Sequence, residues 1–113
     1  MLSVKTRQIF VIIGAIGLTD TACGAEKPVI TIEIKDHKFV PATLDVPADT
    51  RFVLMVKNLD PTPEEFESFE LNREVIVPGN GKKLVHIGPL KPGSYPFFGE
   101  FNQATAKGAL IAK

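Results

Sequence analysis

From Val29 to the C-terminus the chain is built of short β-branched runs cut by Pro and Gly, and no stretch sustains a 3.6-residue apolar period. That pattern points to an all-β fold. In Val29-Ile-Thr-Ile-Glu-Ile34, the residues Ile30, Ile32 and Ile34 share one face of a strand, because side chains alternate at period two. Leu44-Asp-Val46 is a short second stretch closed by Pro47. Arg51 to Lys57 is apolar on both faces from Phe52 to Val56, which predicts a strand in the interior of a sheet. Glu74-Val-Ile-Val77 runs into the turn signal Pro78-Gly79-Asn80-Gly81. Leu84 to Ile87, Tyr95 to Phe98 and Gly108 to Ala112 supply further strands, and a helical turn is expected over Asn102 to Lys107. About seven short strands separated by turns fit a β-sandwich.

The first residues read as an export signal. Lys5 and Arg7 precede an apolar run from Ile9 to Leu18. The run is far shorter than the roughly 20 residues needed to cross a bilayer. Small residues follow at Ala22-Cys23-Gly24-Ala25, as at a signal-peptidase site. The expected division is a signal peptide over 1–25 and one domain over 26–113, in a protein exported to the periplasm. Lipid attachment at Cys23 and an N-terminal helix packed on the domain are the competing readings of this segment. Cys23 is the chain's one cysteine, so residues 26–113 have neither a disulfide nor a thiolate. The formal net charge is zero, without the basic excess of a nucleic-acid binder.

Charge is not spread evenly. Between Asp60 and Glu74, Asp60, Glu64, Glu65, Glu67, Glu70 and Glu74 are acidic, against the single Arg73. If Glu65-Phe66-Glu67 is extended, both carboxylates point one way, about 7 Å apart, and Phe66 points to the core. Such a pair can converge on one cation and repels itself without one. Carboxylates suit hard cations such as Fe(III), Mn, Mg or Ca better than Cu(I). A solvated acidic edge strand, kept from aggregating by its charges, explains the same residues. Glu100 stands in a loop between two strands, a place where function commonly resides. His37 lies in the polar run Lys35-Asp-His-Lys38, and His86 alternates with Val85 and Ile87, so both read as surface residues. Ser68 has no histidine base nearby in sequence, and the glycines match no phosphate loop or dinucleotide fingerprint.

Four segments together carry a resemblance. They are Phe39-Val-Pro41 with Val46-Pro-Ala-Asp-Thr50; Asn58 with the loop before Glu65-Phe-Glu-Ser68; Ile87-Gly-Pro-Leu-Lys-Pro-Gly-Ser-Tyr95; and Phe97-Phe-Gly-Glu-Phe101 leading to Thr105-Ala-Lys-Gly108. The chain from about residue 29 to 113 resembles the cupredoxin-like domain of bacterial periplasmic iron-uptake systems, the EfeO type and its stand-alone members. The resemblance implies a Greek-key β-sandwich with a site at one end, between the chain near Glu65 and the chain near Glu100. Laid on the blue-copper pattern, the Cys position is Gly99, a His position is Asn102 and the Met position is Lys107, with the first His near Glu64 or Glu65. None of the type 1 copper ligands is present.

In the iron-uptake branch carboxylates replace that set, and the matching residues are Glu65, Glu67 and Glu100. Many relatives carry Asp and His at the positions of Gly99 and Asn102, so the site is expected to be open, or completed by water, a partner or a neighbouring carboxylate such as Glu64. The resemblance implies a periplasmic protein that binds iron (Fe3+ or Fe2+), or helps oxidise it, and passes it to a membrane iron permease alongside a periplasmic iron-binding protein. The alternatives are a copper-binding or electron-transfer cupredoxin with a non-blue site, using His37 or His86, and a metal-free interaction module of a membrane complex. An autonomous hydrolase is not supported.

Overall fold

A computed structural model describes residues 27–113, so the expected signal peptide, its cleavage site and Cys23 lie outside the described residues. Nine strands follow one another: β1 (Val29–Lys35), β2 (Lys38–Val40), β3 (Thr43–Val46), β4 (Phe52–Asn58), β5 (Glu64–Ser68), β6 (Arg73–Val77), β7 (Lys82–Ile87), β8 (Gly93–Gly99) and β9 (Lys107–Ala112). They form two sheets, one ordered β2-β1-β4-β7 and the other β3-β9-β8-β5-β6. β1 pairs β4, and β9 pairs β3, in parallel; the remaining pairs are antiparallel. β2 and β3 are consecutive yet lie in different sheets, and such crossings make the all-β sandwich expected from the sequence. Among the described residues no helix is long and apolar enough to cross a membrane.

The strongest apolar run does become an interior strand: β4 lies between β1 and β7, with Phe52, Leu54 and Val56 fully buried. Ile32 and Ile34 are buried beside it in β1, with Ile30 partly covered. The opposite sheet contributes Phe66, Val77, Phe97 and Leu110. An aromatic trio ties the sheets together. Phe39 of β2 meets Phe97 edge-on at 4.9 Å and Phe66 at 6.1 Å, and Phe66 and Phe97 lie 5.1 Å apart. Such contacts add roughly 0.5–1.5 kcal/mol per pair beyond area burial.

Two expectations need correction. β2 lies in a stretch too short and polar to predict, and it forms because Asp36 and His37 (φ 53° and 60°) make a tight turn after β1. The buried Asp60 carboxylate holds that turn, accepting the N–H of Asp36 at 2.8 Å and of His37 at 2.9 Å. The expected helical turn starts earlier, as a 3-10 turn over Glu100–Asn102, and ends where Ala106 N–H donates to the Asn102 carbonyl. β9 then begins at Lys107, because its pairing with β8 takes over the backbone groups.

Phe66→Ala is expected to destabilise the domain by about 3–5 kcal/mol in urea unfolding, the usual cost of deleting a fully buried aromatic. Asp60 is held below the usual carboxylate range, first by the His37 N–H bond, then by that of Asp36 and by the nearby His37 and Lys35 charges, against a burial effect that raises it. A depressed native pKa stabilises the fold above the unfolded value and loses that contribution as pH falls through the native value. Asp60→Asn should therefore cost about 1–2 kcal/mol at neutral pH. The gap to wild type should close below roughly pH 4 in a pH series of unfolding curves.

Candidate metal centre

β5 alternates strictly. Glu64, Phe66 and Ser68 are buried, while Glu65 and Glu67 face outward and are half-buried. β5 is not an edge strand, as one reading of the acidic segment required: it lies between β8 and β6. The short turn after β5 sets the register of the hairpin. Ser68 Oγ accepts the N–H of Leu71 at 3.1 Å and donates to the Pro96 carbonyl at 2.7 Å. Asn72 takes the left-handed conformation (φ 55°), and its N–H bonds the Phe69 carbonyl. Glu74 of β6 consequently stands directly opposite Glu67.

The outcome is a cluster of Glu65, Glu67 and Glu74, each offering a carboxylate oxygen within 4.8 Å of the others. Glu100, on the 3-10 turn, borders it closely enough for its charge to act on Glu67. Two of the three residues singled out from the sequence, Glu65 and Glu67, thus meet in one site; Glu100 stands beside it rather than within its oxygen triangle. Glu74 was missed. The signal was the spacing of an acidic strand, a four-residue turn ending in Asn72 and a second strand beginning with Arg73-Glu74, which places Glu74 across from Glu67 once the register is known.

Among the described residues no basic side chain forms an ion pair with the cluster. Arg73 turns away, its Nε and Nη2 donating to the His86 carbonyl at 3.3 and 2.9 Å and its Nη1 to the Leu71 and Asn72 carbonyls. Among the described residues the one ion pair is Lys113 with Asp45, elsewhere on the surface. Partial burial pushes the Glu65 carboxyl above its ordinary value, followed by the neighbouring Glu74 carboxyl and the charges of Glu67 and Glu100. Glu67 is raised by partial burial and then by the charges of Glu74 and Glu100.

Glu64 does not complete this site. Its side chain leaves β5 on the opposite side and accepts hydrogen bonds from the N–H of Glu65 and Phe101 and from Asn102 Nδ2. The histidines are also elsewhere. His37 occupies the β1–β2 turn, and His86 lies exposed on β7 between the buried Val85 and Ile87, with its Nδ1 3.5 Å from Lys27 Nζ.

Residues 8–112 match the family described as the Cupredoxin-like domain. The chain belongs to that family. An uncharacterized protein of Rickettsia prowazekii is 49% identical over 82 residues, which span 73% of this chain and 66% of that protein. Among solved structures, the fold is similar to auracyanin A, a blue copper protein of Chloroflexus aurantiacus. The TM-score is 0.66 at 13% identity, over 78% of this chain and 100% of that one. It is similar also to the metal-binding domain of the Streptococcus pneumoniae Cu(I)-exporting P-type ATPase, with TM-score 0.67 and 15% identity over 75% of this chain and 84% of that one. Amicyanin of Paracoccus versutus gives TM-score 0.60 at 14% identity, over 79% and 83% of the two chains. At these identities the likeness is one of fold.

A cupredoxin fold raises the question of copper at its pole, and the residues there do not fit a type 1 site. Gly99 offers no thiolate, and a Cβ on it would fall 2.6 Å from Glu64 Cδ. Asn102 presents an amide already engaged by Glu64, and Lys107 presents an ammonium. The thiolate and the two imidazoles of blue copper are all missing there. The carboxylate cluster on the outer face of β5 and β6 has the donor chemistry of a hard-cation site instead.

Raised native pKa values mean that ionised Glu65 and Glu67 weigh against the metal-free fold above those values, and that protonation relieves this as pH falls. Glu65→Gln should therefore raise the melting temperature of metal-free protein at neutral pH. The gain should shrink as pH falls through the native pKa of Glu65, a trend that calorimetric scans at a series of pH values would read.

Proposed function

We propose that this is a periplasmic iron-handling protein, exported by the segment 1–25, that carries iron on the outer face of β5 and β6 and passes it to a membrane iron permease. The observation that carries this reading is the convergence of the Glu65, Glu67 and Glu74 oxygens to within 4.8 Å, with no ion-paired basic side chain among the described residues. The clustered carboxylates repel one another, and a hard cation among them turns that repulsion into attraction. Fe(III) gains more from anionic oxygen than Fe(II) does, because the energy scales with charge. Iron is cargo here. Glu65, Glu67 and Glu74 bind it, and Glu100 borders the site at its edge.

A carrier must also meet its acceptor. Phe98 of β8 stands in register beside Glu67, so both share the outer face. Phe69, 74% exposed, packs on Phe98 at 5.5 Å. With Pro96 and Lys107 they line an open groove of about 400 Å³. An exposed aromatic groove next to the carboxylates gives a partner an apolar foothold beside the cargo.

Calorimetry on protein recovered from the periplasm after expression of the full chain tests the proposal, with Fe(III) as a citrate complex, Fe(II) under argon, Cu(II) and Ca(II). The expected result is preferential Fe(III) binding that falls at least roughly tenfold in Glu65→Gln/Glu67→Gln and in Glu74→Gln. Iron affinity unchanged in both variants would refute the assignment. Preferential Cu(II) binding retained in both variants and lost in His86→Ala or His37→Ala would support a non-blue copper site in its place.

A further inference from the structure

Glu64 is a carboxylate 1% exposed, at the end of the sheets where Gly99, Asn102 and Ala106 meet. A buried carboxylate is costly unless its lone pairs are taken up by donors. Glu64 has three. Oε1 accepts the N–H of Glu65 at 3.0 Å and of Phe101 at 2.9 Å, and Oε2 accepts Asn102 Nδ2 at 2.7 Å. The group also fills space. A Cβ on Gly99 would fall 2.7 Å from Glu64 Oε2 and 2.7 Å from Ala106 Cβ. The glycine at the end of β8 is what leaves room for the carboxylate.

We infer that the buried Glu64 carboxylate takes the place of a metal at this pole, closing it to cations and fixing the turn that carries Glu100 beside Glu65 and Glu67. The first half follows from the direction of the dipoles. A cation at the pole would need the same carboxylate oxygens and would face the positive ends of the Phe101 N–H and the Asn102 amide. The donors that satisfy Glu64 therefore repel a cation. The second half follows from connectivity. One oxygen receives the N–H of Glu65 and of Phe101, so the backbone on the β5 side and on the 3-10 turn is pinned to a single atom. Glu65 and Glu100 lie at those two stations. Glu64 is thus a positioning residue for the outer cluster, and this half rests on the iron reading above.

The test uses ¹⁵N-labelled protein from the full chain. In wild type, adding Zn(II) or Cu(I) should leave the Phe101 amide and the Asn102 side-chain NH2 resonances in place. Glu64→Gln keeps the shape but puts an NH2 against donors. It should lower the melting temperature by about 5–10 °C, shift the Phe101 and Asn102 resonances, and weaken Fe(III) binding severalfold although Glu64 touches no iron. Should that variant not fold, Asn102→Ala removes one donor and leaves both bonds to Oε1. It should melt lower while the Phe101 amide stays put. Zn(II) or Cu(I) moving the Phe101 and Asn102 signals of wild type, with the effect lost in Glu64→Gln, would make Glu64 a ligand and overturn the inference. So would a Glu64→Gln protein with unchanged melting temperature and Phe101 shift. Wild type that binds no iron would refute the carrier reading alone, since the resonance and melting measurements still decide the role of Glu64.

Discussion

The strict alternation of β5 is the constraint from which the rest of the site follows. A strand can send neighbouring side chains only to opposite faces. Five residues therefore supply a core aromatic, a buried carboxylate lock, a buried hydroxyl and two outward carboxylates. Phe66 fixes the phase, because it is fully buried against Phe39 and Phe97. A one-residue slip would bury Glu65 and Glu67 without donors and expose the aromatic, at a cost far above that of the native register. Packing energy thus holds the electrostatically unfavourable cluster in place.

The same strand separates two kinds of carboxylate chemistry. Glu64 faces inward and is saturated by hydrogen bonds, so its charge is spent on structure. Glu65 and Glu67 face outward with Glu74 and repel each other, so their charge is available to a ligand. The cupredoxin scaffold is retained while the pole that suits copper in a thiolate–imidazole set is filled from within. The proposed hard-cation site on the sheet face and the proposed closed pole are consistent with one another, since both rest on glutamates at successive positions of β5.

Much of the fold was legible in the sequence because apolar period two and Pro-Gly punctuation are local signals. β1, β4, β8 and β9 are read from runs such as Val29 to Ile34 and Phe52 to Val56. β2 was not, because its three residues form a strand only after the Asp36-His37 turn is clamped by Asp60, more than twenty positions away. Residue resemblance and alternation pointed to Glu65 and Glu67. Glu74 escaped because its role depends on hairpin register, and register is set by Ser68 and Asn72 in the turn. Glu64 was read as a spare ligand because sequence does not reveal the donors that Phe101 and Asn102 bring to it.

The sequence by itself determined an all-β chain, cysteine-free after residue 25, with carboxylates as the abundant metal donors of its acidic segment. These are matters of composition and of short-range alternation, and they need no partner strand. Only the tertiary structure decided which carboxylates meet, which one is buried and which end of the sandwich is closed. Those outcomes depend on long-range pairings, β5 with β6 and β8, and on hydrogen bonds from Glu64 to the Phe101–Asn102 turn. A carboxylate is a ligand or a lock according to whether donors reach it, and those donors are supplied by chain 37 or 38 residues away.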